Sequence, residues 1–399
     1  MGTKIDKRKI DSSDSEEISS ARKVLTKEGF PLFFAMILTI LIFRIATESF
    51  LDPRNIANLL GQIAPLVLIA VASTLVIVMG EIDLSLGSIA GFSGALAAFF
   101  IGSTNLHWVF GIIVTVLLTL AIALLQGAIV VFGRVRSFAV TLAGFLVWHG
   151  VQVGVLGNAS QRPLNRSPLA DLSITRVSSG WVLLGSLIYF ALYLCFFILV
   201  KSNNSREPEG NESSRKILTV TRTLLPLVAL CLFSKYLDQV GGIPLTLFLV
   251  LVITLCSWFL LTRMPIGRHM YSIGGNPAAA RANGISVTKV RLTGFILTGL
   301  LASLAGISII SYTGGADSST GAGSLLLQGI GATVIGGVSL IGGRGSVWGA
   351  FGGAVLLSAV QNGLALLSLP FYVIDIVEGL VVLTALLADA LIRRKYTFS

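Results

Sequence analysis

The sequence predicts an all-α fold, a polytopic transmembrane helix bundle, and three observations carry that prediction. Of its 399 residues 54% are hydrophobic and only 12% are charged, where a soluble domain carries roughly a quarter. The apolar residues gather into runs close to the about 20 that a helix needs to cross a hydrocarbon core of about 30 Å. Those runs are bounded by charge, Pro or Gly, as membrane spans are. The same composition excludes a disordered or collagen-like chain, because the 43 glycines follow no three-residue period and the apolar fraction is high.

Residues 1–29 are polar and mixed in charge, with Lys7, Arg8, Lys9, Asp11, Asp14, Glu16 and Glu17. They contain no short apolar core ahead of a small-residue cleavage site, so they read as a cytoplasmic tail rather than a signal peptide. Residues 30–399 form the transmembrane domain. Its candidate spans lie near 30–49, 62–80, 84–101, 107–132, 137–156, 181–200, 222–237, 243–262, 292–311, 325–341, 347–368 and 371–391. The run at 222–237 is short and holds Pro226, and the run at 325–341 is interrupted by glycine. Either reads as tilted, broken or re-entrant, so the expected count is ten to twelve.

Loop charge tests this arrangement, because cytoplasmic loops collect Lys and Arg. With the N-terminus inside, only Arg54, Arg162, Arg166, Arg176 and Lys235 fall outside, and Arg44 sits within the first span near an end. Every other basic residue falls in the tails or on the inner side, including the Ser/Asn/Glu-rich linker 201–221 and the loop 263–291. Both termini are therefore expected in the cytoplasm. The net charge of +10 reports this topology and not nucleic acid, which would need a basic face with interleaved aromatics on a soluble element.

Several chemistries are excluded by motif. The chain has no G-x-x-x-x-G-K-[ST] to hold ATP and no H-E-x-x-H. His107, His149 and His269 are far apart, and Cys195, Cys231 and Cys256 sit singly in apolar runs, where they read as buried free thiols. Neither a metal site nor an enzyme is expected.

Carboxylates near or inside a membrane are costly and become functional candidates. Asp389 reads as a surface ion pair with Arg393 and Arg394. Asp375 and Glu378 are three apart, hence on one helix face, and suit a polar path or structural pairing equally. In Glu81-Ile-Asp83-Leu-Ser85-Leu-Gly87-Ser88, Asp83 precedes an apolar run and reads first as a helix N-cap. Glu81 has no capping role to explain it and reads as part of a solute path. With Ser85, Thr141, Gln328 and Asn362, these residues form the candidate substrate path. One internal echo stands out: Met79-Gly-Glu-Ile-Asp-Leu84 resembles Ile335-Gly-Gly-Val-Ser-Leu340, a pattern that fits either a broken-helix repeat or coincidence. The glycines 336, 337, 342, 343, 349, 352 and 353 read as close helix packing.

The loop from Arg263 to Arg291 contains no acid, and within it Asn276-Pro-Ala-Ala-Ala-Arg281-Ala-Asn-Gly284 reads as a complete short helix. Asn276 is the N-cap, Pro277 the first helical position and Gly284 the stop. So short a helix is not stable alone in water. It must pack on its own spans or on a second subunit, and the residues alone leave both open.

Four segments together resemble the membrane permeases of bacterial ABC sugar importers, the ribose and xylose permease family. They are Gly80–Ser88, Ser137-Phe-Ala-Val-Thr-Leu-Ala-Gly144, Ile273–Ile285 and Gly336–Gly345, and they frame most of residues 50–391. The resemblance implies a permease pair in the inner membrane, most simply a homodimer surrounded by lipid, with two cytosolic ABC ATPase subunits that hold ATP and Mg. It also implies an extracytoplasmic sugar-binding protein. On this model the segment with Gly274, Gly275, Asn276, Pro277, Arg281 and Gly284 is similar to the coupling helix that meets the ATPase. Glu81 and the additional spans near 181–237 resemble the longer, xylose-type members, so a pentose such as xylose is the expected solute. One departure is visible: where many relatives carry Glu-Leu-Asp, this chain has Leu326-Leu327-Gln328. A branched-chain amino-acid permease, an ion-coupled secondary transporter using Asp375 or Glu378, and a membrane scaffold are the alternatives.

Overall fold

The structure, a computed structural model, describes residues 30–104, 106–157, 161–164, 167–188, 227–321 and 323–397. The predicted tail 1–29, the linker 201–221 and parts of the runs at 181–200 and 222–237 lie outside the described residues.

The chain folds as a helix bundle. In order come α1 (Phe30–Ala46), α2 (Pro53–Val78), α3 (Leu86–Ala98, continued by a π-helical turn at Phe99–Ser103), α4 (Trp108–Phe132) and α5 (Ser137–Leu156). They are followed by the short α6 (Pro168–Asp171), α7 (Ser179–Ile188), α8 (227–237) and α9 (Leu245–Arg263). The remainder comprises α10 (Pro265–Gly275), α11 (Pro277–Ala282), α12 (Val287–Thr313), α13 (Gly323–Ile335), α14 (Val347–Leu366) and α15 (Phe371–Thr397). Among the described residues, 7 helices are long and apolar enough to cross a membrane: α2, α3 with its π turn, α4, α5, α9, α12 and α14.

Two boundaries differ from the sequence expectation for a physical reason. α2 begins at Pro53, well before residue 62, because Asp52 caps the amide of Arg54 and Pro53 occupies the first turn. The polar Arg54, Asn55 and Asn58 disguise those turns as loop. α13 stops at Ile335 after 13 residues, about 20 Å of helix, too short to cross the core alone. The run at 325–341 is thus a broken segment.

α2 is the bundle's centre and is almost wholly buried, packed by α12, α13 and α14. α4, α5 and α9 instead turn most of their side chains outward, with Leu117, Leu146 and Val252 exposed, as helices facing lipid do. Cys256 on α9 is exposed on such a face, and Cys231 is half-buried, so neither is the buried thiol expected.

The turns sort to two ends. At one, β1 (Gln161–Pro163) pairs antiparallel with β4 (Gly315–Asp317), and β2 (Arg176–Val177) with β3 (Ile243–Pro244). At the other, the C-terminal ends of α2 and α10 and the 336–346 connection meet through glycine. The Gly343 amide donates to the Val78 carbonyl (2.9 Å). A Cβ on Gly274 would lie 1.9 Å from that same carbonyl.

Candidate functional site

A polar cavity of about 260 Å³ lies at the strand-bearing end, between α2, α12, α13 and α14. α2 offers Gln62, Pro65 and Leu66; α13 offers Ser324 and Gln328; α14 offers Ser358 and Gln361. The three- and four-residue spacings put each set on one helix face. Pro65 also withdraws the amide that would serve the Gly61 carbonyl. Thr313 at the end of α12 and Asp317, Ser319 and Thr320 after it complete the wall.

The 315–321 segment is held in place from behind. Gln152 of α5 donates through Nε2 to the carbonyls of Asp317 (3.1 Å) and Thr320 (2.9 Å). Gly91 of α3 makes room for this, since a Cβ there would lie 2.3 Å from both the Thr320 carbonyl and the Gln152 amide oxygen. Asp317 Oδ1 accepts from the Ser319 amide (2.9 Å), Ser319 Oγ (2.7 Å) and Thr320 Oγ1 (3.1 Å). Burial pushes the Asp317 carboxyl up, but the hydrogen bonds from Ser319 and Thr320 outweigh it and hold the group below the usual carboxylate value. It is ionised at neutral pH, with Oδ1 committed to its own turn.

Among the lining residues there is no Lys or Arg, and Asp317 is the one carboxylate. Amides and hydroxyls donate and accept, so this wall suits a neutral, polyhydroxylated solute. The volume lies below the about 300–1,000 Å³ of drug-sized pockets, which fits a single small ring.

Of the substrate-path candidates, Gln328 lines this cavity and the others lie elsewhere. Asn362 exchanges hydrogen bonds with Asn55 (2.8 and 3.0 Å), joining α14 to α2. Asp83, Ser85 and Thr141 share a buried cluster at the glycine end. Ser85 Oγ donates to Asp83 Oδ1 (2.6 Å) and lies 3.0 Å from Gln126 Oε1, while the Leu84 amide donates to Thr141 Oγ1 (3.1 Å). Asp83 also accepts from the Ser85 amide (2.8 Å), so it acts just before the helix, whose N-cap is Ser85. Glu81 pairs instead with Arg291 of α12 at 2.7 Å.

Sequence reading missed Gln62, Ser358 and Gln361. The signal was present as Ser358-x-x-Gln361, a polar pair three apart in an apolar helix; choosing the neighbouring Asn362 selected a face turned by about 100°.

The short helix predicted from Asn276 to Gly284 is present as α11. Asn276 accepts from the amides of Ala278 and Ala279 (3.0 Å each), Pro277 opens the helix, and Gly284 ends it at φ +78°. Apart from buried Ala280, residues 276–284 are exposed, Arg281 included. Gly274 and Gly275, immediately before it, lie against Gly343.

A multi-pass helical bundle with a hydroxyl- and amide-lined cavity and a capped, exposed helix at the opposite end defines a membrane transport subunit. Residues 55–386 match the family model described as branched-chain amino acid transport system / permease component. The chain is 34% identical over 384 residues to a xylose transport system permease protein of Escherichia coli (strain K12), covering 94% of this chain and 95% of the relative. It is 31% identical to the xylose transport system permease protein of Haemophilus influenzae, over 94% of this chain and 99% of that one. It is also 31% identical to the ribose import permease protein of Escherichia coli (strain K12), over 93% and 97%. No solved structure matches. The chain belongs to this permease family, among its sugar permeases, and is a multi-pass protein of the inner membrane.

Proposed function

We propose that this chain is the permease of an ATP-driven importer of a neutral monosaccharide, a pentose such as xylose or ribose. It works as a homodimer with two cytosolic ATPase subunits, which hold the ATP and Mg, and with an extracytoplasmic sugar-binding protein. Both termini and α11 face the cytoplasm, and the strand-bearing end faces outward to receive the sugar. The carrying observation is the cavity wall of Gln62, Gln328, Ser358, Gln361 and Thr313, with no cation among its lining residues. An amino-acid solute would need partners for both its ammonium and its carboxylate. Here no lining cation is present to meet a carboxylate, and Oδ1 of the one lining carboxylate is taken by Ser319 and Thr320, which favours sugar. The exposed, acid-free α10–α11 surface supports ATPase docking, and the sorting of turns to two ends supports the orientation.

The test is ATP-dependent uptake of D-xylose, D-ribose and leucine into vesicles holding the permease, its ATPase and its binding protein. Sugar uptake that requires ATP is expected, with Gln361→Leu reducing it about tenfold. Uptake of leucine alone, or uptake driven by a pH gradient without the ATPase, would overturn the reading.

A further inference from the structure

The cavity accounts for Gln328 but leaves its partner unexplained. Gln328 Nε2 donates to Glu378 Oε2 of α15 at 2.6 Å. Glu378 is buried, and its other oxygen, Oε1, is buried without a hydrogen-bond partner. Asp375, one turn earlier on the same helix, is exposed and makes no hydrogen bond to it, its charge reaching Glu378 only through space. On its own face of α15, Glu378 sits among Ile374, Val381 and Val382, with Asp375 at the exposed edge. A carboxylate retained in such a place costs more than an apolar side chain that would hold α13 to α15 equally well. Packing is already provided one turn away: a Cβ on Gly331 would lie 2.7 Å from Val382, so the two helices are in direct contact there.

An amide side chain has two unlike ends, and which end points where is set by its hydrogen bonds. A carboxylate that accepts from Nε2 turns the amide nitrogen of Gln328 toward α15. The carbonyl oxygen, Oε1, makes no hydrogen bond among the described residues and is not among the buried unpartnered atoms. Gln328 lines the cavity and Glu378 does not.

We propose that Glu378 is a positioning residue for solute selection: it fixes the Gln328 amide so that the cavity presents a carbonyl acceptor to one sugar hydroxyl. The inference rests on the sugar-import reading and deepens it. A hydroxyl at that point is accepted, and an analogue lacking it leaves the carbonyl unpaired.

The test uses the reconstituted importer, with uptake of D-xylose or D-ribose, whichever is carried, measured against each of its mono-deoxy analogues. The readout is the discrimination ratio for each variant with the same binding protein, beside binding-protein-stimulated ATP hydrolysis as a measure of assembly. Glu378→Leu and Gln328→Leu should each lower discrimination against one and the same deoxy analogue about three- to tenfold. The double variant should lose no more than either alone. Glu378→Gln, which offers a donor as well as an acceptor and so lets the Gln328 amide take either orientation, should lower the same discrimination by a smaller factor, about twofold. The exchanged pair Gln328→Glu with Glu378→Gln conserves volume and again sets an acceptor-only group against an amide, so it should discriminate better against that analogue than Glu378→Gln alone, whatever its rate of uptake. Unchanged discrimination in an assembled Glu378→Leu importer, or additive losses in the double variant, would overturn the proposal. If Glu378→Leu does not assemble, an exchanged pair that discriminates no better than Glu378→Gln alone overturns it. Wild-type vesicles that carry neither sugar would overturn the importer reading itself, and this inference with it.

Discussion

Two helices stop inside the bundle and hand the chain to a re-entering segment: α2 at Val78 and α13 at Ile335. Their endings share one hydrogen-bond pattern. The Gly80 amide donates to the Ile77 carbonyl (2.8 Å) and the Glu81 amide to Val76 (3.1 Å); likewise Gly337 donates to Val334 (2.8 Å) and Val338 to Thr333 (3.1 Å). Gly80 and Gly337 hold φ +76° and +84°, so each is the left-handed stop of a Schellman motif. Beyond the stops the two segments are anchored differently. The first is tied by side chains, through Glu81 to Arg291 and through backbone amides to Ser137 and Thr141. The second is tied mainly by backbone, through Gly342 against Gly80 and Gly343 to Val78, with one side chain added where Tyr271 Oη donates to the Gly345 carbonyl (2.7 Å). The same stop therefore serves two anchoring chemistries, one that tolerates adjustment of side chains and one that does not.

The largest effect should come from the glycine on which both segments meet. Gly274→Ala would place a Cβ 1.9 Å from the Val78 carbonyl and 2.6 Å from the Gly343 amide, backbone atoms that cannot rotate away. A loss of about 3 kcal/mol or more is expected, read as failure to purify as a single species or a sharply lowered melting midpoint in detergent. A near-wild-type midpoint would mean that the two breaks do not share this contact.

Arg291→Ala should come next. It leaves Glu81 buried without its cation, and because Arg291 is 29% exposed the loss should be about 2 kcal/mol, below that of a fully buried pair. Glu81→Gln should cost less, since its carbonyl still accepts from the guanidinium. Equal losses for both variants would show that charge is not what anchors the first segment.

The smallest effect sharpens the likeness of the two stops. Gly80→Ala meets nothing closer than 3.6 Å and Gly337→Ala nothing within 4 Å, so each should cost only the left-handed penalty of about 1 kcal/mol. Matching shifts in the melting midpoint are expected. A large difference between them would break the equivalence.

The sequence-level echo aligned Gly80 with Gly336, one residue away from the equivalence in space with Gly337. Residue identity cannot reveal which of two adjacent glycines takes positive φ. Local signals were read well at α5, which occupies 137–156 as expected, and at α11, with Asn276, Pro277 and Gly284 in the expected places, but the Asp52–Pro53 start of α2 was missed. The bundle followed from the apolar runs. The cavity was harder to see, because it draws one or two uncharged polar residues from each of several helices, and only their assembly distinguishes Gln361 from Asn362. Costly carboxylates drew attention to Glu81 and Asp83, whose partners Arg291 and Ser85 are distant or inconspicuous in the chain.

The meeting of Gly80, Gly274 and Gly343 has a mechanical consequence. Side chains act as springs: a rotamer change absorbs a displacement before the backbone feels it. Where main chain rests on main chain there is no such slack, and the interior's low compressibility passes the strain onward. A push on α11 is therefore divided at once between the end of α2 and the segment after α13, the same two helices that wall the cavity at their other ends. The junction behaves as a stiff yoke, and its compliance is set by the absence of three methyl groups.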